Sequence, residues 1–164
     1  MRSNFAVLEK FTESAAWSEV VADVLGGIPE LPWGYEDFGT HWIVAGHRIR
    51  EQVANDRVLA QFLRKVLPPY SGASLVLFRG ESRERFSAGK VGLSWSKDRA
   101  IAELFARGLN SIGGGLVLRA AFCPEGIIAA PNAHSFYLGE HQYTVDPSAA
   151  DRIEVVGKFP SNAT

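Results

Sequence analysis

The stretch from Val66 to Gly80, VLPPYSGASLVLFRG, changes the texture of the chain at its Pro-Pro-Tyr-Ser-Gly centre. Before it, apolar residues recur every three or four positions, the spacing of helices with one buried face. Leu59, Phe62, Leu63 and Val66 form one such stripe, and Trp42, Gly46, Ile49 and Val53 form another. Further upstream, Ser14 is placed to cap a helix carrying Trp17, Val20, Val21, Val24 and Leu25, with Gly26-Gly27 as its stop and Pro29 to Pro32 as the connector. After the break come short apolar or β-branched runs, SLVLFRG, GLSW, GLVLRAAFC, GIIAA, YTVDP and RIEVVG, separated by Gly, Pro, Asn or Ser. One helix interrupts them, with Ser96 as its expected cap, Asp98 in its first turn, and Ile101, Leu104 and Phe105 facing inward. Helices first and strands afterwards is the α+β pattern.

A chain of 164 residues suits a single domain, 1–164, with 1–70 as a helical N-terminal part and 71–159 as a β-rich core. No internal repeat, low-complexity tract or dividing linker is visible, and the polar tail from Pro160 to Thr164 is expected to fray. Hydrophobic residues at 46% and charged residues at 21% place it among globular chains. Seventeen basic residues against 18 acidic ones, with no basic run, exclude the electrostatic footprint of a strong duplex-DNA binder. A nucleic acid bound transiently as substrate stays open. Cys123 is the single cysteine, which excludes internal disulfides and multi-cysteine zinc sites and suits a reducing cytosol. The N-terminus lacks a signal-peptide apolar core, and no run approaches the roughly 20 apolar residues of a membrane helix, so a soluble cytoplasmic protein is expected.

His41 and His47, six residues apart on a predicted helix, do not share a face, so a hydrogen-bonded or solvated histidine is expected and no metal site. No dinucleotide-fold or Walker pattern is present, and the glycines of GLNSIGGG serve a turn.

Three short motifs carry candidate chemistry. Arg79-Gly80 closes a buried-looking strand; the arginine either emerges or pairs with Glu81 or Glu84, or its guanidinium meets a phosphate while the glycine admits a ligand to the backbone. In Ser94-Trp95-Ser96, capping explains Ser96 and strand propensity explains Trp95, which leaves the Ser94 hydroxyl to orient a ligand or a catalytic side chain. In GEHQYTVDP, residues 139–147, strand alternation would set Glu140 and Gln142 on one face roughly 7 Å apart, either as a solvated edge or as one site.

In order, LVLFRG, GLSWSKDRAIAELFA and GEHQYTVDP resemble the ADP-ribosyltransferase family, in its bacterial-toxin branch with Arg, Ser-x-Ser and Glu-x-Glu motifs. The resemblance covers residue 74 to about residue 156, and Phe105-Ala106 adds to it. It implies a split β-sandwich around an NAD cleft, with NAD as co-substrate and no metal. It further implies that Arg79 contacts an NAD phosphate or ribose, that the Gly80 backbone clamps the nicotinamide amide, and that Ser94 and Ser96 line the cofactor site, with Ser94 steadying the catalytic acid. PNAHSFYLG matches the family's substrate-recognition turn, which makes Phe136 and Tyr137 either acceptor contacts or aromatics packing a loop. The implied activity is transfer of ADP-ribose to a protein or nucleic-acid acceptor, by an intracellular toxin or phage-defence effector restrained by an antitoxin or immunity protein.

The catalytic position of Glu-x-Glu is held here by Gln142. Cleaving the bond between nicotinamide and ribose passes through an oxocarbenium-like centre, which a carboxylate stabilises and a neutral amide does not. Loss of such a contact costs roughly 3–4 kcal/mol, or about 10²–10³ in rate. Three explanations stand: the amide replaces a native glutamate in a silenced enzyme, Glu140 supplies the acid in a shifted register, or the chain is a pseudoenzyme that binds NAD or a partner. An NAD glycohydrolase, with water as acceptor, is a further alternative. Glu140 matches the acid that orients a nitrogen nucleophile on the acceptor.

Overall fold

The structure is a computed structural model describing residues 5–108 and 113–160. The Phe136 side chain, residues 109–112 of the glycine-containing loop and the tail beyond Pro160 lie outside the described residues. The chain forms two compact units, Met1–Pro69 and Tyr70–Thr164, divided within the Pro-Pro-Tyr-Ser-Gly segment. With 48% of the described residues helical and 22% in strands, and the strands gathered in the second unit, it is an α+β protein.

The first unit consists of α1 (Phe5–Glu13), α2 (Trp17–Leu25), α3 (Tyr35–Val53) and α4 (Asp56–Val66). The apolar stripes read from the sequence are buried: Trp17, Val21 and Val24 on α2, Trp42, Gly46 and Ile49 on α3, and Leu59, Phe62, Leu63 and Val66 on α4. Trp17, Trp33, Phe38 and Phe62 form the aromatic centre, every pair having ring centroids 5.5 to 6.4 Å apart. Ser14 does not cap α2. Its hydroxyl donates back to the Lys10 carbonyl at 2.7 Å, because the left-handed turn at Ala15 (φ 54°) places it at the end of α1. The first amide of α2, at Trp17, instead donates to Gln52 Oε1 (3.1 Å), and Gln52 Nε2 donates to the Thr12 carbonyl (2.9 Å), so one α3 amide group stitches the α1–α2 turn.

His41 is buried and hydrogen-bonded, as the sequence suggested, while His47 is exposed. The Thr12 hydroxyl donates to the Leu8 carbonyl (3.1 Å) and accepts from Trp17 Nε1 (2.8 Å), so it meets His41 Nε2 (2.7 Å) as an acceptor. That assignment puts the imidazole proton on Nε2 and leaves Nδ1 buried without a partner among the described residues.

The second unit is built on six antiparallel strands: β1 (Leu75–Ser82), β2 (Ser94–Ser96), β3 (Gly115–Phe122), β4 (Ile127–Ala129), β5 (Gln142–Val145) and β6 (Ile153–Phe159), in the order β4-β5-β2-β1-β3-β6. All six runs read as strands from the sequence are present. β1 and β3 pair along their whole length, from Leu75↔Phe122 to Ser82↔Gly115. β1 and β2 meet only at Phe78↔Ser96 among the described residues, so a single register pair joins β4-β5-β2 to β1-β3-β6. One side of the sheet carries the main apolar cluster, with Leu77, Trp95, Leu118, Phe122 and Val145. The short helix α5 (Arg83–Ser87) follows β1, and against the other side lies α6 (Arg99–Arg107), whose Ala102 and Ala106 pack with Val117 and Phe78.

Two expectations for α6 are corrected. Asp98 is its cap, accepting the Ala100 amide at 2.9 Å, while Ser96 is still strand and its hydroxyl accepts the Asp98 amide at 3.1 Å. The inward face is Ala102 and Ala106, and Leu104 is 69% exposed. The reason lies in the sheet: a methyl group on Gly80 would strike the Ala102 carbonyl oxygen and the Ala106 amide nitrogen, and one on Gly115 would strike the Ala106 carbonyl. Backbone therefore packs on backbone, and only small helix residues fit the interface.

Candidate functional site

Where β1 and β2 separate, side chains take over from ladder bonds. Arg79 and Glu81 are two apart on β1 and share a face. Arg79 Nε donates to Glu81 Oε2 (2.8 Å), and Arg79 Nη1 donates to the Ser94 carbonyl on β2 (2.8 Å). The Gly92 amide also donates to Glu81 Oε2 (3.0 Å), and the Ser82 amide donates to Oε1 (3.0 Å). The guanidinium lies over the Gly92 α-carbon, so that a β-carbon there would have to displace it. Trp95 Nε1 closes the group by donating to the Gly92 carbonyl (2.9 Å). Of the two acids the sequence offered as partners for Arg79, Glu81 rather than Glu84 is the one it meets.

Glu81 is fully buried, and burial by itself would raise its pKa. The charge of Arg79 and the hydrogen bonds from Arg79, Gly92 and Ser82 outweigh that, holding the carboxyl below its ordinary value. It is an ionised, fully satisfied carboxylate inside the sheet.

Register decides which other candidates meet. Ser96 is paired with Gln142 and Ser94 with Thr144, so these four side chains leave one side of the β2–β5 pair, while Trp95 and Tyr143 leave the other. Because Phe78 is paired with Ser96, Gly80 belongs to the Ser96 side, and Arg79 leaves with Trp95. The fold thus brings Ser94, Ser96 and Gln142 together on adjacent strands and brings Arg79 to the backbone of Ser94. It does not put Arg79 and Gln142 on one face. The α-carbon side of Gly80, read as room for a ligand, is filled by α6.

The shared strand face expected for Glu140 and Gln142 is not formed. Gly139 (φ 72°) and His141 (φ 45°) are both left-handed, and β5 starts only at Gln142, so period-two alternation does not extend back to Glu140. The preceding turn contains α7 (Ala133–Tyr137), on which Tyr137 is 82% exposed and stacks on His134 at 6.3 Å. Tyr137 is thus largely open to solvent apart from its contact with His134 of the same turn, while the side chain of Phe136 lies outside the described residues.

Residues that sequence reasoning missed are Gly92 and Ser135. Ser135, on α7, is fully buried, and its amide donates to Asn132 Oδ1 at 2.9 Å. The Asn132-x-x-Ser135 spacing is a helix-cap signal that could have located this turn. Among the described residues, no three or more His, Cys, Asp or Glu side chains are grouped to hold a metal ion, and no helix is long and apolar enough to cross a membrane. No protein-family model matches the chain, and no curated protein or solved structure is significantly similar to it.

Proposed function

We propose that β1, β2 and β5 form an NAD site of the ADP-ribosyltransferase type, and that the chain transfers ADP-ribose to a protein or nucleic-acid acceptor with turnover limited by Gln142. One observation carries the reading: three motifs far apart in sequence fall on three neighbouring strands, with Ser96 directly opposite Gln142 and Arg79 bonded to Ser94. The single pair joining β1 to β2 is what a split sheet would have at its opening, and it supports the split β-sandwich expectation.

In this reading the C–N bond between ribose and nicotinamide breaks, nicotinamide leaves with the bonding pair, and the acceptor nucleophile joins the ribose carbon as its proton passes to Glu140. Gln142 hydrogen-bonds the ribose but adds no negative charge beside the developing cation. Gly80 serves through its main chain, because its α-carbon side is taken by α6. Arg79, held on the opposite face from Gln142, serves this reading by fixing the β2 backbone at Ser94 through its bonds to Glu81 and the Ser94 carbonyl. Action in the cytoplasm as a toxin or defence effector, restrained by an antitoxin or immunity protein, belongs to the same reading.

The neutral amide at Gln142 also favours a second reading, an NAD-binding pseudoenzyme. Nicotinamide release by the chain and by Gln142→Glu, in an extract containing acceptors and labelled NAD, tests both. A rise of about 10²-fold with label entering a macromolecule is the transferase outcome. The same rise with label only in free ADP-ribose is the glycohydrolase outcome. Background release by both proteins, with NAD still bound, sinks the enzymatic reading.

A further inference from the structure

We propose that Ser135 is a positioning residue for Glu140–Gln142, fixing from α7 where the Gln142 side chain leaves the sheet; its catalytic consequence rests on the transferase reading. Three consecutive amides end on this one residue. The Ser135 carbonyl accepts from the Glu140 amide (3.1 Å) and the His141 amide (3.4 Å), and its hydroxyl accepts from the Gln142 amide at 2.6 Å.

The geometry explains why such a fixture is needed. His141 is a non-glycine residue in the left-handed region, a conformation that must be held by its surroundings. The segment precedes β5, so regular ladder bonds begin only with Gln142, whose partner is Ser96. The Ser135 hydroxyl therefore sets the first strand residue, and with it the distance between the Gln142 side chain and Ser96. Ser135 is itself anchored, fully buried and tied to Asn132 Oδ1, so it transmits little slack.

The test compares Ser135→Ala, which removes only the hydroxyl, with Ser135→Thr, which keeps it, each made in the unaltered chain and with Gln142→Glu. In the Gln142→Glu background, Ser135→Ala should lower kcat for nicotinamide release by about tenfold or more through misplacement of the acid, with KM for NAD changed less than about twofold. Ser135→Thr should recover most of the loss. In the unaltered chain, amide hydrogen exchange at Gln142 should speed up in the Ala variant and not in the Thr variant. Unchanged exchange in Ser135→Ala overturns the positioning role, and faster exchange with undiminished kcat overturns its catalytic consequence. Should Gln142→Glu alone release no nicotinamide, the transferase reading fails, while the exchange comparison still decides what Ser135 does.

Discussion

Glu81 Oε2 lies 2.8 Å from Arg79 Nε and 3.0 Å from the Gly92 amide, so one buried carboxylate binds an arginine of its own strand and the approach to the next. The pair is almost wholly desolvated, with side-chain exposures of 0% for Glu81 and 15% for Arg79. Glu81→Ala leaves the guanidinium without its anion and the Gly92 amide without its acceptor. Loss of about 3–5 kcal/mol of unfolding stability is expected, read from urea denaturation. An Arg79→Met, Glu81→Leu double variant should recover much of that loss, because an apolar pair avoids the unpaired charge. A double variant no more stable than Glu81→Ala would show that the bonds to Gly92 and Ser94 matter more than the charge.

The two shifted groups should separate by pH. His41 is held below its ordinary pKa of 6.5, first by burial and then by Arg48, with Glu9 opposing. A depressed base is neutral in the native state while the unfolded chain takes up a proton, so its stability contribution is present above 6.5 and falls as pH drops below it. Glu81, also depressed, keeps its contribution down to its ordinary 4.5 and loses it as pH falls further through the native value. Urea midpoints should decline from about pH 7.5 to about pH 5.5 in the wild type and stay flatter in His41→Phe. The further decline below about pH 4.5 should persist in His41→Phe and shrink in Glu81→Leu.

Glycine positions divide sharply by what surrounds them. At Gly80 an added methyl group would lie 2.6 Å from the Ala106 amide nitrogen and 2.8 Å from Phe105 Cβ, and helix backbone cannot yield as a side-chain tip can. Gly80→Ala should therefore destabilise by about 1–3 kcal/mol in thermal or urea unfolding. Gly113→Ala, where the methyl group meets nothing within 4 Å among the described residues, should stay within about 0.5 kcal/mol of the wild type.

The same close packing explains what the sequence could and could not disclose. The six strands and the stripes of α2, α3 and α4 follow local periodicity and turn residues, which are written in consecutive positions. The inward face of α6 is set by Gly80 and Gly115 across the sheet, so Leu104, a good core residue by local spacing, ends outside. At the site, the two-residue spacing of Arg79 and Glu81 was readable because it lies within one strand. The pairing of Ser96 with Gln142 depends on sheet order, and the break between Glu140 and Gln142 on a left-handed His141, neither of which alternation reveals.

Tyr137 should affect the acceptor more than NAD. It is 82% exposed, stacked on His134, and beside Leu138, which is 46% exposed. So exposed a ring contributes little to folding, and Tyr137→Ala should keep stability within about 0.5 kcal/mol. If the turn meets the acceptor, the same substitution in a Gln142→Glu background should cut the yield of labelled acceptor far more than it cuts nicotinamide release, because released ADP-ribose then goes to water. Equal reductions in both would place Tyr137 at the NAD step, and no reduction in either would remove this turn from acceptor recognition.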